Sequence, residues 1–170
     1  RMRREFYSHM LDNIKPANLW ELCELTAEAI ETQPLNYQQS HWICDAKKEV
    51  SSEACGTAFC RAGWMYALST SEPKECSRIL VEGTGYHEIY IPMRNKLLAA
   101  GIPSGVIEAL FSASSDTPWN LRYHRGLEEL NAGDPEYARI GAEGMRQFMQ
   151  DYEKELRGTP LAVVEVKQDD

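Results

Sequence analysis

The sequence predicts a mainly α-helical fold, a compact single domain of six or seven helices with at most a minor β element. Three observations lead to this prediction. Apolar residues recur at helical spacing in several segments, prolines and capping residues mark where those segments begin, and only two short runs have strand composition. With 170 residues, 43% of them hydrophobic and 26% charged, the chain is long enough to bury one core.

Capping residues and periodicity place the helices. Asn18, with Glu21 three residues later, resembles a capping box and predicts a helix over about residues 19–33. Pro34 ends that helix, because the residue before a proline is pushed away from helical dihedral angles. Asp134-Pro135 predicts the start of the longest helix, which runs to about Leu156. Shorter helices are expected at residues 73–80, with Pro73 in the first turn, at residues 93–100 and 106–111, and after Thr117-Pro118.

The remaining segments set the boundaries of the domain. Residues 86–91 are aromatic and β-branched, which predicts one short strand or an extended connector, and residues 161–166 predict an edge strand or a docked tail. Residues 35–54 show no sustained period and are expected to be irregular or briefly extended, then an exposed loop. We therefore expect an N-terminal arm or short helix over 1–17, a helical domain over 18–158 and a C-terminal tail or edge strand over 159–170.

The segment from Cys55 to Trp64 has the densest cluster of unusual residue types in the chain. Thr57 is expected to cap a helix whose inward face carries Cys60, Gly63 and Trp64. Glycine costs a helix about 1 kcal/mol relative to alanine, so Gly63 is expected to admit another backbone or a large ring at close range. We interpret this segment as a packing hub built from Cys55, Gly56, Thr57, Cys60, Gly63 and Trp64.

The same segment suggests a metal site. His41, Cys44, Cys55 and Cys60 supply one imidazole and three sulfurs, a ligand set that suits tetrahedral zinc. Their outer spacing differs from the common zinc-finger pattern. The competing interpretation is that Cys60 is a small core residue, because free cysteine is among the most buried residue types.

Cys55 is also a candidate nucleophile. A position at a helix N-terminus would favour its thiolate, with His41, His87 or His124 as the base, although the sequence places no histidine beside it. A disulfide between Cys55 and Cys60 ranks below buried thiols, because a regular helix would strain it.

Charge and cysteine count limit the classes of partner. The formal net charge of −8 would repel a phosphate backbone, so nucleic acid is not an expected partner. No apolar run approaches the roughly 18 residues of a membrane helix, so no membrane partner is expected either. Five cysteines would leave an odd thiol in a disulfide framework, and a reducing cytoplasm is the simpler prediction.

The pattern C-G-T-x-x-C-x-A-G-W, which spans Cys55 to Trp64, resembles a motif of small uncharacterised bacterial and bacteriophage proteins. In those proteins a short helix ending in Leu-Phe precedes a tryptophan-containing turn and a terminal helix. Leu110-Phe111, Trp119 and residues 134–156 are similar to that arrangement. The resemblance implies no particular activity.

A binding function is favoured over catalysis. The sequence has no convergent set of acid, base and nucleophile, whereas aromatic residues are abundant and the acidic surface suits a protein partner with a basic patch. The alternatives are an enzyme that uses Cys55 and a small zinc-stabilised domain. The aromatic residues concerned are Tyr37, Trp42, Trp64, Tyr66, Tyr86, Tyr90, Trp119 and Tyr123.

Overall fold

A computed structural model describes residues 15–70, 74–83, 85–112 and 130–161. The predicted helix after Thr117-Pro118, most of the predicted arm over 1–17 and all but the first residue of the predicted strand over 161–166 lie outside these ranges. The described residues contain eight α-helices and one two-stranded sheet, which confirms the mainly α-helical prediction. Two of these helices are only four and five residues long.

The elements follow one another along the chain. The α-helices are α1 (Leu19–Thr32), α2 (Ala46–Glu49), α3 (Arg61–Ser69), α4 (Lys74–Glu82), α5 (Ile91–Ala99), α6 (Ser104–Phe111), α7 (Pro135–Asp151) and α8 (Glu153–Arg157). The strands are β1 (Ile43–Asp45) and β2 (Thr57–Phe59), a 3₁₀ turn spans Pro34–Asn36, and a π-helix spans Tyr86–Tyr90. No helix in the described ranges has both the length and the apolar character needed to cross a membrane.

Helix α1 lies at the centre of the core, packed against α7 and α3. Its predicted start is confirmed, because the Oδ1 atom of Asn18 accepts a hydrogen bond from the Glu21 N–H at 2.9 Å. Its predicted inward residues are all buried: Leu19, Leu22, Cys23, Thr26, Ala27 and Ile30. Periodicity and cap therefore determine this helix together.

Helix α7 also begins at the predicted proline, with its predicted apolar face buried. It stops at Asp151 and not near Leu156, because Tyr152 has non-helical dihedral angles of φ −127° and ψ 31°. The short helix α8 continues after this break and buries Leu156 in the core.

The chain after α8 docks beside the start of α1. The Leu19 N–H donates to the Thr159 carbonyl at 3.0 Å, and the Leu161 N–H donates to the Ala17 carbonyl at 3.0 Å. Asn18 and Pro160 form the antiparallel bridge between these two bonds. Residues 159–161 are thus held against the start of α1, and the prediction of a tail or edge strand over 159–170 stays a prediction.

Besides the end of α7, two further local predictions are wrong. Thr57 does not cap a helix but lies in β2, where it pairs with Asp45 of β1. Residues 86–90 are helical and not extended, although their side chains favour strands. The physical reason is tertiary packing, because Gly85 lies close against Trp42: a Cβ added at Gly85 would be 3.0 Å from the Trp42 Cβ. This close contact fixes the path of the chain that leads into α5.

Candidate functional site

Cys60 is the residue that starts helix α3. Its Sγ accepts a hydrogen bond from the Gly63 N–H at 3.4 Å, and its carbonyl accepts the first helical bond, from the Trp64 N–H at 2.9 Å. The extended backbone of β2 delivers Cys60 to this position, because Phe59 pairs with Ile43 at the end of the antiparallel ladder. The observed cap, Cys60, therefore lies three residues after the predicted cap, Thr57.

This shift changes the chemistry predicted for the two thiols. Cys55 lies before a strand and is exposed, so it has no helix N-terminus to favour its thiolate. Cys60 does occupy the helix start but is fully buried, and burial raises its pKa to about 11. Cys60 thus matches the interpretation of a small core residue. None of the five cysteines, all of which are described, forms a disulfide.

The four candidate zinc ligands occupy different surroundings. Cys44 is buried in a small cluster with Ala46, Ala54 and Ala58, while exposed His41 has its Nε2 3.9 Å from an Oε2 of Glu49. Among the described residues, no three His, Cys, Asp or Glu side chains form a group that could hold a metal. The structure does not gather His41, Cys44, Cys55 and Cys60 into one site, and zinc binding stays a prediction.

Gly63 allows another segment of backbone, at Trp42, to pack closely against α3, as predicted. A Cβ at this position would lie 2.1 Å from the Trp42 carbonyl oxygen and 2.9 Å from the Cβ of Phe59. The chain before β1 is also held by Cys60, whose N–H donates to the His41 carbonyl at 3.1 Å. On the inner side, the ring centroids of Phe59 and Trp64 are 5.1 Å apart. The motif therefore fixes the position of Trp42.

Trp42 belongs to a cluster at the protein surface that we call the aromatic surface, formed by Trp42, Tyr86 and Tyr90. The Trp42 ring centroid lies 4.8 Å from that of Tyr90 and 6.5 Å from that of Tyr86. Tyr86 stacks on Tyr90 at 5.3 Å with 26° between the ring planes. Tyr86 is 50% exposed, whereas Trp42 and Tyr90 are half-buried. The aromatic surface thus runs from solvent to the core, where Tyr90 meets Phe111 edge-on at 6.1 Å.

The polar tips of the aromatic surface have no partner among the described residues: the Nε1 of Trp42 and the hydroxyls of Tyr86 and Tyr90 form no hydrogen bond to another described residue. Burial of the ring, and then the nearby carboxylate of Glu108, raise the pKa of Tyr90, so its hydroxyl keeps its proton at neutral pH. The aromatic surface therefore carries three hydrogen-bond donors that have no partner among the described residues.

A buried polar network lies behind the motif, and the sequence analysis missed it. Arg61 is fully buried, and its Nη1 donates to the Leu110 carbonyl at 2.8 Å while its Nε donates to the Gly141 carbonyl at 3.1 Å. Buried Gln39 joins the same region, because its Nε2 donates to the Phe111 carbonyl at 3.0 Å and its Oε1 accepts from the Arg61 N–H at 3.1 Å. These bonds connect the start of α3 and the chain at Gln39 to the C-terminal end of α6 and to the middle of α7.

Two tyrosines complete this network. The Tyr37 hydroxyl donates to the Gln39 Oε1 at 2.9 Å, and the Tyr137 hydroxyl accepts from the Gln39 N–H at 2.9 Å. Burial raises the pKa of Tyr137 to about 12 and that of Tyr37 further. Gly141 leaves room for the Tyr37 ring, which would lie 2.5 Å from an added Cβ. The only sequence signal was an arginine among small and apolar residues in α3. Because Arg61, Gln39 and Tyr37 are buried and tie several elements of the core together, we assign this network to the core.

Comparison of the chain with protein-family models, with curated protein sequences and with solved structures found no match. The resemblance of Cys55 to Trp64 to bacterial and bacteriophage proteins stays a prediction. The site must therefore be interpreted from its own geometry.

Proposed function

We propose that this chain is a protein-binding module whose aromatic surface contacts the partner. The observation that carries the proposal is the half-exposed Tyr86, stacked on Tyr90 and anchored through it to the core. Tyrosine and tryptophan are enriched at the centres of binding interfaces, where a rigid ring buries much area at a low entropy cost. The two exposed large hydrophobic residues of the described chain, Val81 and Tyr86, lie only five positions apart. One exposed apolar side chain is ordinary on a protein surface, but this segment carries two.

The partner carries a basic patch. The whole chain has a net charge of −8, and the carboxylates of Glu82 and Glu88, which bind Arg78, lie on the segment that leads to and includes the π-helix. Near Tyr90 the negative charge of Glu108 is partly offset by the positive charge of Arg94, so the acidic character of this region comes mainly from the two carboxylates around Arg78. Opposite charges around an apolar centre increase the rate of association and exclude partners of the same sign. We place this function in the cytoplasm, because cysteines that form no disulfide suit a reducing compartment.

Site-specific photocrosslinking tests the proposal. A photoreactive phenylalanine analogue replaces Tyr86 in one variant and Trp20 in a control variant, because Trp20 is also half-buried but contacts Arg157 in a cation–π pair. We expect a discrete crosslinked protein from position 86 and not from position 20, and its loss when Trp42→Ala is added to the first variant. Equal crosslinking from both positions would overturn the proposal.

A parallel measurement separates binding from catalysis. Cys55→Ser should leave the crosslinked product unchanged, because Cys55 lies on the loop before β2 and makes no contact in the aromatic surface. Loss of crosslinking in this variant, with an unchanged melting temperature, would favour a function that depends on the Cys55 thiol.

A further inference from the structure

Two of the three rings of the aromatic surface are carried by an unusual helical turn. Tyr86–Tyr90 is a π-helix that leads without a break into α5. The Ile91 N–H donates to the Tyr86 carbonyl, five residues earlier, and Tyr90 and Ile91 keep helical φ angles of −64° and −60°. Turns of this kind are rare and occur mostly inside α-helices, frequently at functional sites. The wide turn therefore needs a physical cause.

Pro92 supplies this cause. It lies in the first turn of α5, directly after the π-helix, so that helical backbone precedes it as well as follows it. A proline has no N–H to donate, and in an α-helix its ring clashes with the carbonyl four residues earlier, which here belongs to Glu88. A regular α-helix over residues 85–99 would bring these two groups together. Widening the turn before Pro92 separates them, so the helix passes the proline without ending.

The wide turn sets the relative position of the rings. A π turn holds about one residue more than an α turn, which corresponds to a rotation of about 100° around the helix axis. In the observed arrangement Gly85 packs against Trp42, and the ring centroids of Tyr86 and Trp42 are 6.5 Å apart. A regular α-helix would rotate Gly85 and Tyr86 away from Trp42, because both lie on the N-terminal side of the wide turn.

From these observations we infer that Pro92 is a positioning residue of the aromatic surface. By enforcing the π-helix it places the Tyr86 ring beside those of Trp42 and Tyr90. This inference rests on the proposed function, because the rings that Pro92 positions are those proposed to contact the partner. Pro92 acts through the backbone of the π-helix, and its own contact with the partner is not required.

The test is Pro92→Ala, which restores the N–H and removes the ring that clashes with the Glu88 carbonyl. NMR measures the nuclear Overhauser effect between the ring protons of Trp42 and Tyr86, and photocrosslinking from position 86 measures binding. Pro135→Ala is the matched control. Pro135 also lies in the first turn of a helix, α7, but Asp134 before it is extended, with φ −69° and ψ 138°, so no helical turn precedes it.

We expect Pro92→Ala to keep the cooperative thermal transition of a folded protein, because alanine is a better helix former than proline. It should lose both the ring Overhauser effect and the crosslinked product from position 86. Pro135→Ala should keep both. A proline that served stability alone would change the melting temperature and leave the ring Overhauser effect in place.

Two results would overturn the inference. If Pro92→Ala kept the Overhauser effect between Trp42 and Tyr86, the π-helix would not depend on the proline. If that effect were lost but crosslinking from position 86 were undiminished, binding would not depend on the positions of the rings. The proposed function fails separately, if position 86 gives no crosslink while Pro92 is present. The ring Overhauser effect in Pro92→Ala would then still decide whether Pro92 positions the rings.

Discussion

Replacement of Gly63 by alanine should destabilise the protein, even though alanine is the better helix former. Helix propensity alone would favour Gly63→Ala by about 1 kcal/mol. Against this, the new Cβ would lie 2.1 Å from the Trp42 carbonyl oxygen and 2.9 Å from the Cβ of Phe59. Ordinary contacts between carbon and carbonyl oxygen are about 3.3 Å or longer, so a backbone segment must move by roughly 1 Å.

The size of the effect follows from these two opposing terms. Overpacking a core costs about 1–3 kcal/mol, and the upper end applies because the obstructing atom belongs to the backbone. After subtraction of the helix gain, Gly63→Ala should lower the free energy of unfolding by about 2 kcal/mol. For a chain of this size, that corresponds to a melting temperature lower by about 4–8 °C.

Gly105→Ala is the matched control. Gly105 also lies in a helix, α6, but in the described part of the chain, apart from the nearby backbone of α6 itself, no atom lies within 4 Å of the Cβ that alanine would add. The same substitution should therefore stabilise the protein by up to about 1 kcal/mol and raise the melting temperature by about 2–4 °C. Thermal unfolding followed by circular dichroism measures both variants. If Gly63→Ala melted at or above the temperature of the unsubstituted protein, the close approach of Trp42 to α3 would be refuted.

Three further predictions concern thiols, a helix cap and pH. A thiol reagent should modify only Cys55 in the native protein and no thiol in Cys55→Ser, and modification of two or more native thiols would contradict the burial of the other four. Asn18→Ala removes the side chain that caps α1 and should lower the free energy of unfolding by about 1 kcal/mol, measured by denaturant titration. Asn95→Ala, at an exposed position in α5, is the control and should leave it unchanged. Equal losses in the two variants would argue against the cap. Burial raises the pKa of the Cys23 thiol to about 12 and that of the Cys60 thiol to about 11, from 9.0. Below pH 9 both thiols are neutral in the folded and the unfolded chain, and their contribution to the free energy of unfolding is complete. As the pH rises from 9 toward the raised values, the thiols ionise in the unfolded chain first, and this contribution is lost. The melting temperature should fall above pH 9, less steeply in Cys23→Ala, and an identical slope in that variant would contradict a buried neutral thiol.

The elements that could be predicted from the sequence are those whose signals are local. Asn18 and Glu21 mark the start of α1 within four residues, and Pro135 marks the start of α7, so both helices begin where the pattern places them. Gly63 was also informative, because a glycine inside an apolar helix needs a reason. Its contact, the carbonyl of Trp42, lies 21 positions earlier and could not be identified.

The elements that could not be predicted depend on distant partners. Strand β2 forms because Thr57–Phe59 pair with β1, from which they are separated by eleven residues that include α2. This pairing moves the helix cap from the predicted Thr57 to Cys60. The burial of Arg61 is stabilised by distant partners, among them the carbonyls of residues 110 and 141, which accept its hydrogen bonds. A side chain of that polarity would otherwise be expected at the surface.

The way in which the aromatic surface is held bears directly on its capacity to bind. Trp42 is confined by Gly63 beneath its carbonyl and by Gly85 against its Cβ, and its ring packs on Tyr90, which is itself anchored on Phe111. Ordering a flexible side chain at an interface costs about 0.5–1.5 kcal/mol. For rings already held in place, most of that cost has been met during folding, so a larger share of the contact energy remains as affinity. Loosening the support should therefore weaken binding without removing any contacting group, and Gly63→Ala should do so while Gly105→Ala should not.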